Sequence, residues 1–419
     1  LNLIMMEPLR KKEMEPLRNL DIASCADCVE GSSTPQRLGA WGLAAAIFKG
    51  NCNCNVLYMP GAWRESGWSF SAFVLPLLAF LSTFCVVRLL RCREGNDHNY
   101  GELMELAGGR PLRMAVDTSI VLMQTGVCSL YLINGAALLQ STVLPDVSVP
   151  LLIFYEALLI APLTAIRKVS QLGCLNMSAG VLVIGGTAVT LYMLIFGLMT
   201  NGPRLEEFHA VKPGGLLTGL GTALFVFEGI TLVIPIYDSS RHPEQFVAVY
   251  SSVIGFVVVL ITVTALLGYL AFGESTQTLV LLSLPPGPVQ KALQICFAVA
   301  MLGTFPLQLL PAVRLVENVF LAPSRRGTWD KLIKSLFRTL FVALIAAVSV
   351  VGATSLSNFV SVVGAMCGLP LAYIYPSICH LQLRAGTSRV ARLVDYSFVI
   401  FGLLFTVVIT LENIRKWGQ

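Results

Sequence analysis

Apolar stretches long enough to cross a membrane recur along almost the whole chain, and this recurrence limits the possible folds more than any other feature. A transmembrane helix needs about 20 consecutive, mostly apolar residues, and such stretches follow one another from residue 38 to residue 413. Only 13% of the 419 residues are charged, whereas about a quarter of the residues of a typical soluble domain carry charge. The pattern predicts an all-α polytopic membrane protein.

Eleven apolar stretches qualify as spans. They cover residues 38–60, 69–90, 114–141, 148–166, 173–199, 214–237, 246–272, 290–313, 336–356, 358–381 and 393–412. The polar residues 1–37 are predicted to form a flexible tail, and residues 414–419 form a short C-terminal segment. We therefore expect one membrane domain over residues 38–413, flanked by segments too short to fold as separate domains.

The basic residues lie mainly in alternate connections between the spans. Most of the 29 Lys and Arg residues fall in residues 1–37 and in every second connection after them. Because loops rich in Lys and Arg stay on the cytoplasmic side of a membrane, this distribution predicts a cytosolic N-terminus and, for an odd number of spans, a non-cytosolic C-terminus. No basic run is interleaved with stacking aromatic residues, so we expect no nucleic-acid partner.

Polar residues interrupt the middle of the first span, where residues 49–55 read KGNCNCN. Gly50 permits unusual backbone dihedrals, and asparagines favour caps and turns over helix interiors. A helix can break within the hydrocarbon only where protein or water satisfies its freed peptide groups. The alternative is that the asparagines join neighbouring helices by hydrogen bonds while Lys49 reaches toward an interface. The clustering of the polar residues favours a broken helix.

A second interruption is expected in the sixth span, GGLLTGLGTALFVFEGITLVIP, five spans after the first. Its glycines Gly219, Gly221 and Gly229 frame an apolar run that contains Glu228. An ionisable side chain inside a membrane is costly and indicates a functional site. Glu228 is therefore a candidate for proton coupling, and an equal alternative is a neutral or paired Glu228 that braces the span against Lys49 or backbone amides.

Two broken spans in corresponding positions predict a binding site at the middle of the membrane. In transporters built from inverted repeats, the ends of discontinuous helices meet there. The positive N-terminal ends attract an anionic group, and the free carbonyl groups of the C-terminal ends attract a cation. A zwitterionic amino acid matches both ends at once.

Four segments of the chain resemble signatures of a known family. They are KGNCNCNVLYMPGAWRESGW in the first span, TGVCSLYLING in the third, GTALFVFEGITLVIPIYDSSRHPEQF in and after the sixth, and GTFPLQLLPAVRLVE in the eighth. In order and spacing they resemble the amino acid/auxin permease family, in its proton-coupled amino acid transporter branch. The resemblance covers residues 38–412.

The resemblance implies eleven helices, the first ten arranged as two inverted five-helix repeats in which helices 1 and 6 are broken. It also implies secondary transport of amino acids, driven by protons or, in some branches, by sodium. Eight residues match the family by position: Lys49, Gly50, Asn51, Pro60, Glu228, Gly229, Pro306 and Gln308. Where the family commonly has Gly-x-Gly, this chain has Asn53-Cys54-Asn55, and the added amide groups are expected to shrink or repolarise the pocket.

Substrate-binding candidates come from the first, third, sixth and eighth spans. They are Gly50, Asn51, Asn53, Cys54, Asn55, Tyr131, Phe225, Phe227, Gly229 and Thr304, with Glu228 and Lys49 as candidates for proton coupling. Tyr131 is equally well explained as a packing aromatic between helices. Thr304 has a simpler role too, since threonines in helices commonly donate to a carbonyl of their own helix.

Three further ionisable residues are interpreted as structural. Glu156 and Asp117 are placed toward the ends of their spans, where salt bridging or topology is expected to explain them. His380 is placed near the cytosolic face and interpreted as structural, with pH sensing as the alternative.

Enzyme motifs are missing from the sequence. It contains no P-loop and no H-E-x-x-H, and its four histidines have no metal-ligand spacing. We expect no cofactor, a proton or sodium as the coupling ion, and an amino acid and the lipid bilayer as partners, in a plasma, vacuolar or lysosomal membrane. The alternative to a carrier is an amino acid-sensing receptor on the same fold with little flux.

Overall fold

The computed structural model describes residues 37–52, 54–93, 98–164, 169–320, 328–384 and 388–417, and it describes the backbone alone for residues 54, 169–176, 228, 328, 330 and 331. Within these ranges the chain is almost entirely helical. The α-helices are α1 (Ala40–Asn51), α2 (Met59–Ser66), α3 (Trp68–Arg93), α4 (Tyr100–Thr142), α5 (Val149–Thr164), α6 (Val169–Asn201), α7 (Leu216–Val226), α8 (Val233–Asp238), α9 (Phe246–Phe272), α10 (Pro288–Phe320), α11 (Thr328–Gly352), α12 (Leu356–Val363), α13 (Tyr375–Leu383) and α14 (Arg389–Arg415). The predicted tail, residues 1–37, lies outside the described residues except for Arg37.

Eight helical stretches in the described part of the chain are long and apolar enough to cross a membrane. One of them, Leu332–Leu383, has 52 residues and contains two of the predicted spans. Val149–Thr164 is apolar but shorter. The region of the first predicted span is divided into helical pieces of 12, 5 and 8 residues. The chain is thus a multi-pass helical membrane protein.

Helix α4 is bent near its start. Gly108 and Gly109 have non-helical dihedrals, and the φ of Gly109 is +75°, a conformation that a residue with a side chain rarely adopts. Pro111 follows within the same turn and cannot donate a helical hydrogen bond. The bend separates the first residues of α4 from the part that corresponds to the predicted third span.

The stretch 40–66 runs antiparallel to the stretch 213–238. At one end, the amide of Leu38 donates to the carbonyl oxygen of Ser239 (2.7 Å), and the amide of Arg241 donates to that of Leu38 (2.9 Å). At the other end, the amide of Lys212 donates to the carbonyl oxygen of Ser66 (3.0 Å). Helix α1 therefore lies against α8, and α2 packs against α7.

A buried arginine joins three helices away from these two stretches. Arg338 on α11 donates to Glu317 on α10 through Nε (2.8 Å to Oε1) and Nη2 (3.3 Å to Oε2). Its Nη1 donates to the carbonyl oxygen of Thr164 at the end of α5 (3.0 Å). A buried guanidinium needs such hydrogen-bond acceptors because an unpaired buried charge is costly.

A second buried ionic group joins α3, α13 and α14. Asp395 on α14 is paired with Arg88 on α3 and lies 2.7 Å from Nδ1 of His380 on α13. The guanidinium of Arg88 also lies 4.2 Å from the ring centroid of Phe84. This network gives His380 a structural partner, in agreement with its structural interpretation.

The Arg338 group predicts a clear pattern of stability. Arg338→Leu leaves the carboxylate of Glu317 buried without its cation, so we expect a loss of about 3–5 kcal/mol in the free energy of unfolding. The double variant Arg338→Leu/Glu317→Leu removes both charges and should recover most of that loss. Thermal unfolding of the purified protein in detergent measures both, and a double variant less stable than Arg338→Leu would contradict the prediction.

Candidate functional site

The first interruption lies between α1 and α2. Helix α1 ends at Asn51, and Cys52 has non-helical dihedrals (φ −115°, ψ 78°) while its amide donates to the carbonyl oxygen of Phe48 (2.7 Å). A 3₁₀ turn, Cys54–Tyr58, follows, and α2 begins at Met59. The end of α1 leaves carbonyl groups of its last turn without partners in their own helix.

The second interruption lies between α7 and α8. Helix α7 ends at Val226, and Phe227 departs from helical geometry (φ −92°, ψ 31°). A 3₁₀ turn, Glu228–Leu232, precedes α8, which begins at Val233. Both interruptions fall in the stretches that the sequence singled out.

The two interruptions touch at Gly229. A methyl group on Gly229 would stand 2.5 Å from Oδ1 of Asn51 and 2.7 Å from the carbonyl oxygen of Gly50. On the other side, a methyl group on Gly50 would stand 3.3 Å from Cδ1 of Leu232. The backbones approach this closely only because residue 229 has no side chain. We call this contact region, residues 50–58 and 225–232, the junction.

The asparagines of the first interruption are buried in the junction. Asn51 and Asn55 expose 4% and 2% of their surface. The side-chain amide of Asn51 donates to the carbonyl oxygen of Ile47 (2.9 Å), which turns its Oδ1 toward Gly229. Asn53 lies outside the described residues, as does the side chain of Cys54.

Aromatic side chains close the junction to solvent. Phe225, Phe227 and Tyr131 are buried, each exposing at most 4% of its surface. The ring of Tyr58 meets that of Phe225 edge to face, with 6.1 Å between the centroids. Tyr131 lies on α4, which contacts the second interruption. These described aromatic side chains are therefore shielded from solvent in this conformation.

Of the two candidates for proton coupling, the structure describes the side chain of Lys49 but only the backbone of Glu228. A methyl group on Gly180 of α6 would stand 3.5 Å from Cε and 3.8 Å from Nζ of Lys49, so the Lys49 side chain lies alongside α6. The backbone of Glu228 opens the second 3₁₀ turn, directly before Gly229. Its side chain lies outside the described part, so a brace between Glu228 and Lys49 stays a prediction.

The residues predicted on the eighth span lie on α10. The hydroxyl of Thr304 donates to the carbonyl oxygen of Ala300 in its own helix (2.8 Å), which is the simpler of its two predicted roles. Gln308 donates to Oε1 of Gln124 on α4 (2.7 Å), and Pro306 is buried. Gln308 thus links α10 to α4, which contacts the junction.

The structure corrects the interpretation of Glu156 and confirms that of Asp117. Asp117 forms an ion pair with Arg113 (3.7 Å). Glu156 was expected toward a span end, which is wrong: it lies in the middle of α5 and is buried, because α5 packs this face against Gly135 of α4. A lone acid in the apolar run VPLLIFYEALLIAPLT is the sequence signal for it.

Sequence reasoning also missed a hydrogen bond between the first and third spans. Asn134 on α4 donates through its side-chain amide to the hydroxyl of Tyr58. Both residues are buried. Asn134 lies in the third-span segment TGVCSLYLING, but nothing in the sequence indicated which helix it would face.

An open cavity of about 750 Å³ lies at the end of the bundle where α2 stops and α7 begins. Charged and polar residues line it, among them Glu65, His209, Lys212, Thr218 and Lys416. Thr218 lies on α7, two turns before the second interruption. The first turn of α7 thus forms part of the wall of this open cavity.

Comparison with known proteins places the sequence of this chain in a family. A family model described as "Transmembrane amino acid transporter protein" matches residues 36–415. Vacuolar amino acid transporter 3 of Saccharomyces cerevisiae is 32% identical over 388 residues, which cover 89% of this chain and 56% of that protein. Amino acid transporter AVT3A of Arabidopsis thaliana is 26% identical over 390 residues, which cover 89% and 88%. The chain spans little more than half the length of the yeast relative.

Solved structures share the fold at low sequence identity. An inward-facing conformation of Mhp1 superimposes with a TM-score of 0.58 at 15% identity, covering 92% of this chain and 93% of that one. A substrate-bound, outward-open Na⁺-coupled sialic acid symporter gives a TM-score of 0.54 at 13% identity, covering 90% and 89%. Both likenesses concern the fold alone. The family match rests on the sequence, and by it the chain belongs to the transmembrane amino acid transporter family.

Proposed function

We propose that this protein is a secondary active transporter that carries amino acids across a membrane and couples their movement to protons. The observation that carries the proposal is the junction, where two antiparallel interrupted stretches meet at Gly229 and the end of α1. Membership of the transmembrane amino acid transporter family and the names of the relatives support it.

The ends of the interrupted helices suit a zwitterion. The C-terminal ends of α1 and α7 carry partial negative charge on unpaired carbonyl groups, which favours the ammonium of an amino acid. The first turns of α2 and α8 present partial positive charge, which favours its carboxylate. The carbonyl group of Gly50, which points at Gly229, is the ammonium contact we favour.

The proposed architecture has eleven spans, of which the first ten form two inverted five-helix repeats. Each of the eight long stretches crosses once in this arrangement, except Leu332–Leu383, which crosses twice. Residues 40–66 and 149–164 add one crossing each, so that eleven crossings result. The antiparallel arrangement of the first and sixth spans supports inverted repeats. The distribution of basic residues among the connections supports a cytosolic N-terminus.

Transport in this proposal alternates access to the closed junction. Rocking or tilting of the interrupted spans opens it on one side toward the cavity near Lys212 and on the other side toward the cytosol. The ring pair Tyr58–Phe225 is then a contact that must part. The buried ion pairs of Arg338 and Arg88 hold the surrounding helices, which serve as the frame.

Coupling is assigned to Glu228, with Lys49 as its electrostatic partner, and the ten predicted substrate contacts keep their proposed roles. Asn53, Cys54 and Asn55, which replace the family's Gly-x-Gly, are proposed to narrow the amino acid side-chain pocket. Relatives named as vacuolar transporters support a vacuolar membrane. There, an acidic lumen would drive export of amino acid to the cytosol together with protons.

Uptake into proteoliposomes tests the function itself. With an acidic exterior, we expect a radiolabelled neutral amino acid to accumulate inside, and a protonophore to abolish the accumulation. Binding of the amino acid without uptake would instead indicate a receptor. Uptake that follows a sodium gradient at equal pH would assign the coupling to sodium.

Glu228→Gln separates coupling from binding. The amide keeps the size of the side chain but cannot release a proton, so pH-driven accumulation should be lost while exchange of internal for external amino acid continues. Glu206→Gln, a change of an exposed carboxylate, is the matched control and should leave accumulation unchanged. Full pH-driven accumulation by Glu228→Gln would reject the role of Glu228.

Gly229→Ala tests the close approach at the junction. The added methyl group would lie against a backbone carbonyl that cannot turn aside, and overpacking of this kind costs about 1–3 kcal/mol. We expect a lower melting temperature and weak uptake. Gly255→Ala on α9 adds the same group where no atom lies within 4 Å and should slightly stabilise the protein. Equal behaviour of the two variants would contradict the described junction.

A further inference from the structure

Glu156 is a buried acid that has no role in the proposed function. It lies in the middle of α5 with 3% of its surface exposed. Both of its carboxyl oxygens are buried, and neither has a hydrogen-bond partner among the described residues. Such a group is unusual because buried polar atoms in proteins are nearly always paired.

The carboxyl group occupies a recess that Gly135 creates on α4. A methyl group on Gly135 would stand 2.5 Å from Oε1 and 3.1 Å from Oε2 of Glu156. Any larger residue at position 135 would therefore displace the carboxyl group. The recess is part of the packing between α4 and α5 and faces away from the lipid.

The segment of α4 that forms the recess also makes a hydrogen bond to the junction. Asn134, the neighbour of Gly135, donates to the hydroxyl of Tyr58, the last residue of the first 3₁₀ turn. The side-chain oxygen of Asn134 is itself buried without a partner. A displacement of Tyr58 breaks this hydrogen bond and so acts on the segment of α4 that carries Gly135.

Few titratable residues lie in the middle of the helices packed against α5. Helix α5 packs against α4, α10 and α11. Between residues 339 and 352, α11 has no titratable residue, and the titratable residues in the middle of the other helices are Cys128, Tyr131, Tyr155 and Cys296. The charged residues of these helices are Glu102, Glu105, Arg110, Arg113 and Asp117 on α4, Lys291, Arg314 and Glu317 on α10, and Asp330, Lys331, Lys334 and Arg338 on α11.

An ionised carboxylate in such surroundings is strongly disfavoured, whereas the neutral acid avoids most of that cost. From this geometry we infer that Glu156 is a second proton-binding site of the transport cycle. It holds its proton while the junction is closed and releases it when displacement of Tyr58 admits water to the recess. The inference rests on the proposed function, since a proton site contributes to transport only in a proton-coupled carrier.

Glu156→Gln is the decisive variant. Glutamine has the shape of the neutral acid and can fill the recess, so a purely structural Glu156 would be replaced without effect on coupling. For a gradient of one pH unit, each coupled proton contributes about tenfold to the accumulation ratio. We expect the variant to exchange amino acid normally, to accumulate about tenfold less, and to move fewer protons per amino acid, measured with a trapped pH indicator.

Asp146→Asn is the matched control because it removes an exposed carboxylate just before α5. It should accumulate amino acid as the unaltered protein does. Failure of the unaltered protein to accumulate would reject the proposed function. Normal accumulation by the unaltered protein together with an unchanged proton ratio in Glu156→Gln would reject only the role of Glu156.

A chemical test on the unaltered protein covers the case in which Glu156→Gln does not fold. Dicyclohexylcarbodiimide reacts with protonated carboxyl groups in apolar surroundings, and mass spectrometry locates the adduct. We expect modification of Glu156 in acidic buffer and less modification in alkaline buffer or during exchange with amino acid. Equal modification under all these conditions would show a permanently neutral brace and overturn the inference.

Discussion

The close approach of Gly229 to the end of α1 is the contact on which the rest of the arrangement depends. The missing side chain brings the carbonyl oxygen of Gly50 and Oδ1 of Asn51 against the second interruption. Backbone pairing of Leu38 with Ser240 fixes the far ends of α1 and α8. The two breaks therefore lie against each other inside protein, where membrane structure tolerates freed peptide groups.

The helices around the junction are joined by ion pairs, whereas the junction itself is held by neutral contacts. One buried ion pair joins α10 with α11, and its Arg338 also donates to a carbonyl group of α5. A second buried ion pair joins α3 with α14. Breaking such a pair would strand a charge, so these helices resist separation. At the junction, Tyr58 is held by ring packing with Phe225 and by the side chain of Asn134. Neutral contacts of this kind exchange at modest cost, which suits a region that must open and close.

The sequence predicted those features that follow from local chemistry. Asparagines and glycines within an apolar run predicted both interruptions, and the tendency of threonine to donate to its own helix explained Thr304. Features that depend on which faces of two helices meet were not predictable. The recess of Glu156 is made by a glycine on another helix, and the partner of Tyr58 is Asn134, 76 residues away. The number of spans and the role of Glu228 stay predictions.

Hydrogen–deuterium exchange with and without a saturating amino acid tests the central claim most directly, because the substrate is proposed to bind peptide groups at both breaks. Slower amide exchange is predicted in residues 50–58 and in residues 225–232 together, with no change in the connection 203–212. Binding of the amino acid that leaves exchange in both breaks unaltered, or slows it in only one, would contradict a site formed by the two interrupted helices.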